Sequence, residues 1–136
     1  MSKAKAIGTA AETAVVKYLR DVVGLEDVTR VVLHGRDDEG DIHVGKSDFP
    51  SMVFEVKSRK NESTYKEVEG FMEELEAEAV NTWGKDWRGL RTPLSAYLII
   101  KRPGKGKAED WWICWKNQAG VTVRARFGDV FKPKGE

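Results

Sequence analysis

Met52-Val53-Phe54-Glu55-Val56-Lys57 is the stretch from which the rest of the chain can be read. Its β-branched and aromatic residues mark a strand. The two-residue period then puts Met52, Phe54 and Val56 on one face and Glu55 and Lys57 on the other. Such a strand covers a core with its apolar face and turns its charged face into a cleft or to solvent. Toward the N-terminus, across the turn from Gly45 to Pro50, Asp41-Ile42-His43-Val44 has the same strand character. Before it, Val28 to Leu33 is another strand candidate, joined through the polar loop Gly35-Arg36-Asp37-Asp38-Glu39-Gly40, so the two read as a hairpin. Asp41 therefore opens one strand while Glu55 and Lys57 ride on the next.

Ala4 to Val23 reads as a helix with Ile7, Ala11, Ala14, Val15, Tyr18, Leu19 and Val22 as its apolar stripe and Gly24 as its stop. Glu12 falls on the edge of that stripe, whereas Lys17, Arg20 and Asp21 point away. A carboxylate so placed needs a metal, a lysine or a hydrogen-bond donor, because desolvating it alone is costly. Beyond the central strand, Thr64-Tyr65-Lys66-Glu67 has capping-box spacing and opens a helix to about Trp83. Val68, Phe71, Met72, Leu75, Ala79 and Val80 form its buried stripe, and its other face is acidic. A connection over Gly84 to Thr92 leads to a buried strand, Leu94 to Ile100, then to the loop Arg102-Pro103-Gly104-Lys105-Gly106-Lys107. Trp111 to Trp115 and Val121 to Phe127 are strand candidates around an Ala119-Gly120 turn, and residues 132–136 read as a frayed tail. This order predicts an α/β (α+β) fold, a central mixed β-sheet flanked by helices, in one domain over residues 1–136.

A chain of 136 residues suits one core and is too short for two ordinary domains. Hydrophobic content of 40% with 33% charged residues is ordinary for a globular protein, and no run approaches a membrane span. The start Met1-Ser2-Lys3-Ala4-Lys5 lacks the apolar stretch and cleavage site of a secretory leader, and the lone Cys114 has no internal partner. Both set the expectation of a cytoplasmic protein without a membrane. The net charge of +1 hides an asymmetry: residues 84–136 carry +7 and residues 1–83 carry −6. That division suits a protein that holds a metal with one part and phosphates with the other, or it is a set of solvated charges.

Hydrolysis of a phosphodiester needs neutralisation of the phosphate, an activated water and help for the leaving oxygen, and divalent cations held by carboxylates supply most of this. Magnesium is hard, prefers oxygen and is commonly held by one or two carboxylates with water and phosphate. Asp41 and Glu55 are the candidate ligands, with Glu12 a third that binds directly or through water. Lys57 would stand beside the bound water, orienting it and offsetting negative charge. Glu-x-Lys alone carries little weight, since opposite charges at i and i+2 are an ordinary strand feature. Asp41 at a strand start and Glu12 on the inner edge of a helix are what make the set specific.

With these residues the chain resembles the PD-(D/E)xK nuclease superfamily, whose pattern is a helix glutamate, an acid at a strand start and a (D/E)xK strand. The matching positions are Glu12 in Gly8-Thr9-Ala10-Ala11-Glu12, Asp41 in Gly40-Asp41-Ile42, and Glu55-Val56-Lys57. The short length and the Gly-x-x-x-Glu opening look most like the archaeal-type and phage Holliday junction resolvases. Lys101 to Lys107 followed by Asp110-Trp111-Trp112 is similar to a segment of small actinobacterial phage proteins of that kind. The resemblance covers residues 5–57 and runs loosely over the rest. Glycine stands where the pattern has proline before the acid, and Glu74 where many relatives place glutamine. The resemblance implies a restriction-endonuclease-like core and a metal-dependent, structure-selective DNA endonuclease. It would use Mg2+, with Mn2+ able to substitute, and cut four-way junctions symmetrically as a homodimer in the cytoplasm of a bacterium or phage-infected host. Glu12, Asp41, Glu55 and Lys57 are then catalytic, with Asp41, Glu55 and Glu12 on the metal. A nuclease acting on flaps, nicks or duplex, and a non-catalytic DNA-binding module on the same scaffold, are the alternatives.

Arg36, Lys101, Arg102, Lys105 and Lys107 are candidate DNA-binding residues, since long basic side chains on a Gly-rich loop can follow a backbone without reading bases; as a solvated loop they would do nothing. His34 and His43 lack the spacing of a zinc site, and His43, although it shares the parity of Asp41, reads as structural or exposed. The five tryptophans either stack on unpaired bases or fill core and interface.

Overall fold

The computed structural model describes residues 3–31 and 41–135. Helix α1 (Lys3–Lys17) runs into a π-helical segment over Tyr18–Val23, followed by strands β1 (Val28–Arg30), β2 (Ile42–Gly45) and β3 (Pro50–Ser58). Helix α2 (Tyr65–Trp83), strands β4 (Ser95–Lys101), β5 (Trp112–Lys116) and β6 (Thr122–Arg126), and the short helix α3 (Phe127–Val130) complete it. The strands make one mixed sheet in sequence order, antiparallel at every step except β3 and β4, which are parallel and joined by α2. The α+β class with a mixed sheet and flanking helices is as expected.

Strand parity divides the core in two. Phe54 and Val56 of β3, Ile42 and Val44 of β2, Ile99 and Ile113 face α1 and pack with Ala11, Val15 and Leu19. Val53, Leu98, Ile100 and Cys114 face α2 and pack with Val68, Phe71, Met72, Leu75 and Ala79. The Thr64 hydroxyl accepts from Glu67 N at 3.2 Å while the Glu67 carboxylate accepts from Thr64 N at 3.0 Å, the reciprocal cap expected for α2.

Several expectations need correction. The first helix closes with a wide π-turn stopped by Gly24 at φ +83°, a conformation glycine adopts without strain. The wider turn shifts the register of the last residues, so Val22, counted in the apolar stripe, is 38% exposed, while Val23 packs against the core. The first strand covers Val28–Arg30 and stops before Val31; Val32, Leu33, His34 and the loop with Arg36 lie outside the described residues. Phe127, read as the end of a strand, begins α3 and sets Phe131 against Phe54 and Tyr97, with ring centroids 5.6 and 5.3 Å apart. Tyr18 donates to the Phe131 carbonyl at 2.7 Å, and Lys134 N donates to Val22 O at 2.8 Å. The end of the chain, read as frayed, is thus tied back to the first helix as far as Lys134. No described helix is long and apolar enough to cross a membrane.

Phe54 is fully buried at the centre of this aromatic cluster, so Phe54→Ala is expected to cost about 3–5 kcal/mol of folding stability. Thr64→Ala, which removes only the cap, should cost about 1 kcal/mol. Urea unfolding of both variants tests the ranking; comparable losses would contradict the central place of Phe54.

Candidate active site

The β2–β3 pairing runs to Ile42 opposite Phe54, and Asp41 continues it with a backbone bond from its N–H to Phe54 O at 3.0 Å. Its carbonyl accepts from Val31 N at 2.9 Å, so the residue is fixed between β1 and β3. Beyond this point Val56 N–H finds its acceptor in the Asp41 side chain, with Oδ2 at 2.7 Å. The carboxylate is therefore built into the end of the ladder. Parity puts Asp41, like Glu55 and Lys57, on the α2 side of the sheet.

Glu55 is 6% exposed, and one carboxylate oxygen, Oε1, lies 3.3 Å from Lys57 Nζ. The other, Oε2, is shielded from solvent and accepts no hydrogen bond from the described residues. Lys57 Nζ also reaches Glu74 Oε2 on α2 at 2.7 Å and lies 5.3 Å from the centre of the Phe71 ring. Burial works against the ammonium charge, but the hydrogen bond to Glu74 and the charges of Glu55 and Glu74 outweigh it and raise the Lys57 pKa above its ordinary value. Lys57 is thus a fixed cation at neutral pH and a donor, not a proton acceptor.

Burial, and then the charge of Glu55, push the Asp41 carboxyl up from 3.8 to about 8. The Val56 hydrogen bond and Lys57 oppose the rise, while the charge of Glu12 adds to it. Glu12 comes from α1 on the opposite face of the sheet, close enough for Asp41 to feel its charge. Its Oε1, however, accepts from Arg30 Nε of β1 at 2.8 Å. The structure thus brings Asp41, Glu55 and Lys57 together and commits Glu12 to Arg30. Among the described residues no group of three or more His, Cys, Asp or Glu side chains is gathered closely enough to hold a metal. Compared with family models, curated proteins and solved structures, the chain matches none.

The donor set still fits a hard divalent cation. Two carboxylates crowd each other, one buried oxygen has no partner among the described residues, and magnesium commonly takes only one or two protein carboxylates. Asp41 and Glu55 would hold such an ion. Glu74, singled out in sequence only as standing where many relatives place glutamine, and Phe71, read only as part of the buried stripe, both brace Lys57, a role sequence reading did not assign them.

The basic candidates are spread over both faces. Lys101 ends β4, with Nζ 5.8 Å from the centre of the Trp111 ring. Arg102 Nη1 donates to Asp110 O at 3.3 Å, and Lys105 and Lys107 are exposed on a loop that Trp111 Nε1 pins through Lys105 O at 2.7 Å. His43 is partly buried, two residues along β2 from Asp41. Trp83, Trp87 and Trp111 are buried, which leaves Trp112 and Trp115 as the partly exposed pair. Cys114 is buried, and burial lifts its thiol to about 11, so it is inert.

Because the Asp41 pKa is raised on folding, the native state keeps a proton that the unfolded chain has lost between about pH 4 and 8. Stability from this group is therefore lost as pH rises through that window. In chelator, Tm of the wild type should fall toward pH 8 while Asp41→Asn stays flatter and is the more stable protein there. Magnesium should raise the wild-type Tm more at pH 8 than at pH 5.5. Parallel pH profiles for the two proteins would exclude Asp41 as the titrating group.

Proposed function

We propose that the chain is a metal-dependent DNA endonuclease with a restriction-endonuclease-like core, a Holliday junction resolvase in kind, acting as a homodimer on four-way junctions. The observation that carries this reading is the juncture of Asp41, Glu55 and Lys57 where β2 begins against β3, with an oxygen on Glu55 that has no hydrogen-bond partner among the described residues. A bound Mg2+, or Mn2+ in its place, would neutralise the phosphate and lower the pKa of a coordinated water. The protein's own part is positional. Val56 N–H fixes the Asp41 carboxylate, and β3 presents Glu55 and Lys57 in one direction. Glu74 and Glu55 keep the Lys57 ammonium charged and aimed at the space beside them, where it would stabilise negative charge gathering on a phosphate. Lys101, which ends β4, and Arg102, Lys105 and Lys107, which follow it, would hold the flanking backbone, reading shape and not sequence.

One observation favours a second reading, a DNA-binding module without catalysis: Glu12 is engaged by Arg30 and not by the two other carboxylates. A flap, nick or duplex nuclease would use the same residues on another substrate.

The test is cleavage of a labelled immobile four-way junction against matched linear duplex, with magnesium or chelator. Paired symmetric nicks in the junction alone are expected. Asp41→Ala, Glu55→Ala and Lys57→Ala should each slow cleavage by about 100-fold or more while binding persists. Equal cutting of duplex would make it a general nuclease, and tight binding with no cut would leave the binding module.

A further inference from the structure

The tandem Trp111-Trp112 at the start of β5 organises the basic side chains of the carboxy-terminal half, and one of them is assigned no task by the site described above. The Trp112 ring carries two guanidiniums, Arg102 with Cζ 4.1 Å from the ring centre and Arg124 of β6 at 4.4 Å. Neighbouring cations are committed elsewhere: Arg126 to Asp110 and Asp129 at 3.0 Å each, Lys116 to Glu69 at 3.1 Å, Arg88 to Glu76 at 2.7 Å. Arg124 is exposed, and among the described residues no carboxylate lies within 4.0 Å of it. Arg102 Nε lies 3.8 Å from Glu62 Oε1 and is shielded without a hydrogen bond to the described residues. A guanidinium laid on an indole keeps its N–H donors and loses little freedom when it binds, and its fork matches the oxygens of a phosphate.

The sheet register places this pair relative to the candidate active site. Lys57 is level with Ile100, Ile100 with Trp112, and all three side chains share the α2 face. Two strand spacings separate Lys57 from Trp112 and a third reaches β6, about 10 to 15 Å in all. Laid along the helix axis, at about 3.4 Å of rise per nucleotide, that span covers three or four phosphates of one strand.

We infer that Arg124, with Arg102 and held by Trp112, is a backbone-binding element that grips one DNA strand three or four nucleotides from the bond cut beside Lys57. The inference rests on the nuclease reading, and it extends the DNA surface across β5 to the β6 edge. It engages phosphates and no base edges, so it acts on any sequence.

The experiment is junction binding in chelator as a function of salt, wild type against Arg124→Gln, followed by single-turnover cleavage in magnesium. Arg124→Gln should weaken binding about tenfold and make the slope of log K against log salt shallower by about 1. The cleavage rate at saturating enzyme should stay within about twofold. A scan of single neutral methylphosphonates along the cut strand should find one position, about three or four nucleotides from the cut, that weakens the wild type but not Arg124→Gln. Unchanged affinity and slope in Arg124→Gln, with the wild type binding normally, would overturn this surface alone. No junction binding by the wild type would remove the nuclease reading and this surface with it.

Discussion

The hydrogen bond from Val56 N–H to the Asp41 carboxylate is the constraint on which the candidate site depends. It occurs where backbone pairing between β2 and β3 gives out, so one side chain both finishes a ladder and stands beside Glu55. Because β3 is the middle of the sheet and buried on both faces, the N–H it presents is fixed to the precision of the core. The geometry of Asp41 is therefore inherited from Phe54 and Val56, which pack beneath it on the α1 side. Glu55, between those two residues, faces the other way at no cost in register, since alternation is the rule of the strand. A site built on strands in this way is more precise than one built on loops.

The same placement creates an electrostatic conflict. Asp41 and Glu55 share a desolvated space, and the charge of Glu12 adds to the crowding from the far face. Lys57 relieves only part of it, because its ammonium is also engaged by Glu74. Asp41, left in this state, holds a proton around neutrality. Folding alone would be better served by an amide or an apolar residue at one of these positions. A cation between Asp41 and Glu55, as the proposed function has it, would relieve this conflict.

Much of this was legible in the sequence because it is local. Alternation in Met52 to Lys57 gave the two faces of β3, the Thr64–Glu67 spacing gave the start of α2, and the apolar stripe of α2 matches its buried face. What could not be read depends on distant partners or on a break in periodicity. The π-turn that exposes Val22 breaks the helical repeat used to place it. Glu78 is 1% exposed on α2, a burial that no pattern of carboxylates on an acidic helix announces. The Arg30–Glu12 pair joins a helix to a strand 18 residues on, and the bracing of Lys57 by Glu74 needs α2 folded back over β3. Phe127 has a strand-like neighbourhood in sequence, yet its burial against Tyr18 belongs to a helical turn.

The charge asymmetry along the chain also has a different meaning in three dimensions. Read as sequence, an acidic first part and a basic second part suggest separate dealings with metal and phosphate. In the fold, acids of α2 meet bases from the strands and loops that follow: Glu69 with Lys116 and Glu76 with Arg88. These pairs are partly exposed and contribute little stability each, but they remove those bases from the count available to a ligand. The basic surface left over is smaller than the sum implies and lies at the ends of β3 and β4, in the loop after them and on β6. A polyanion approaching the sheet would meet repulsion from the exposed acids of α2 and attraction above that helix. Under the proposed function the acidic helix would direct a nucleic acid toward the ends of β3 and β4, near Asp41, Glu55 and Lys57, which is a role in placement and not in affinity.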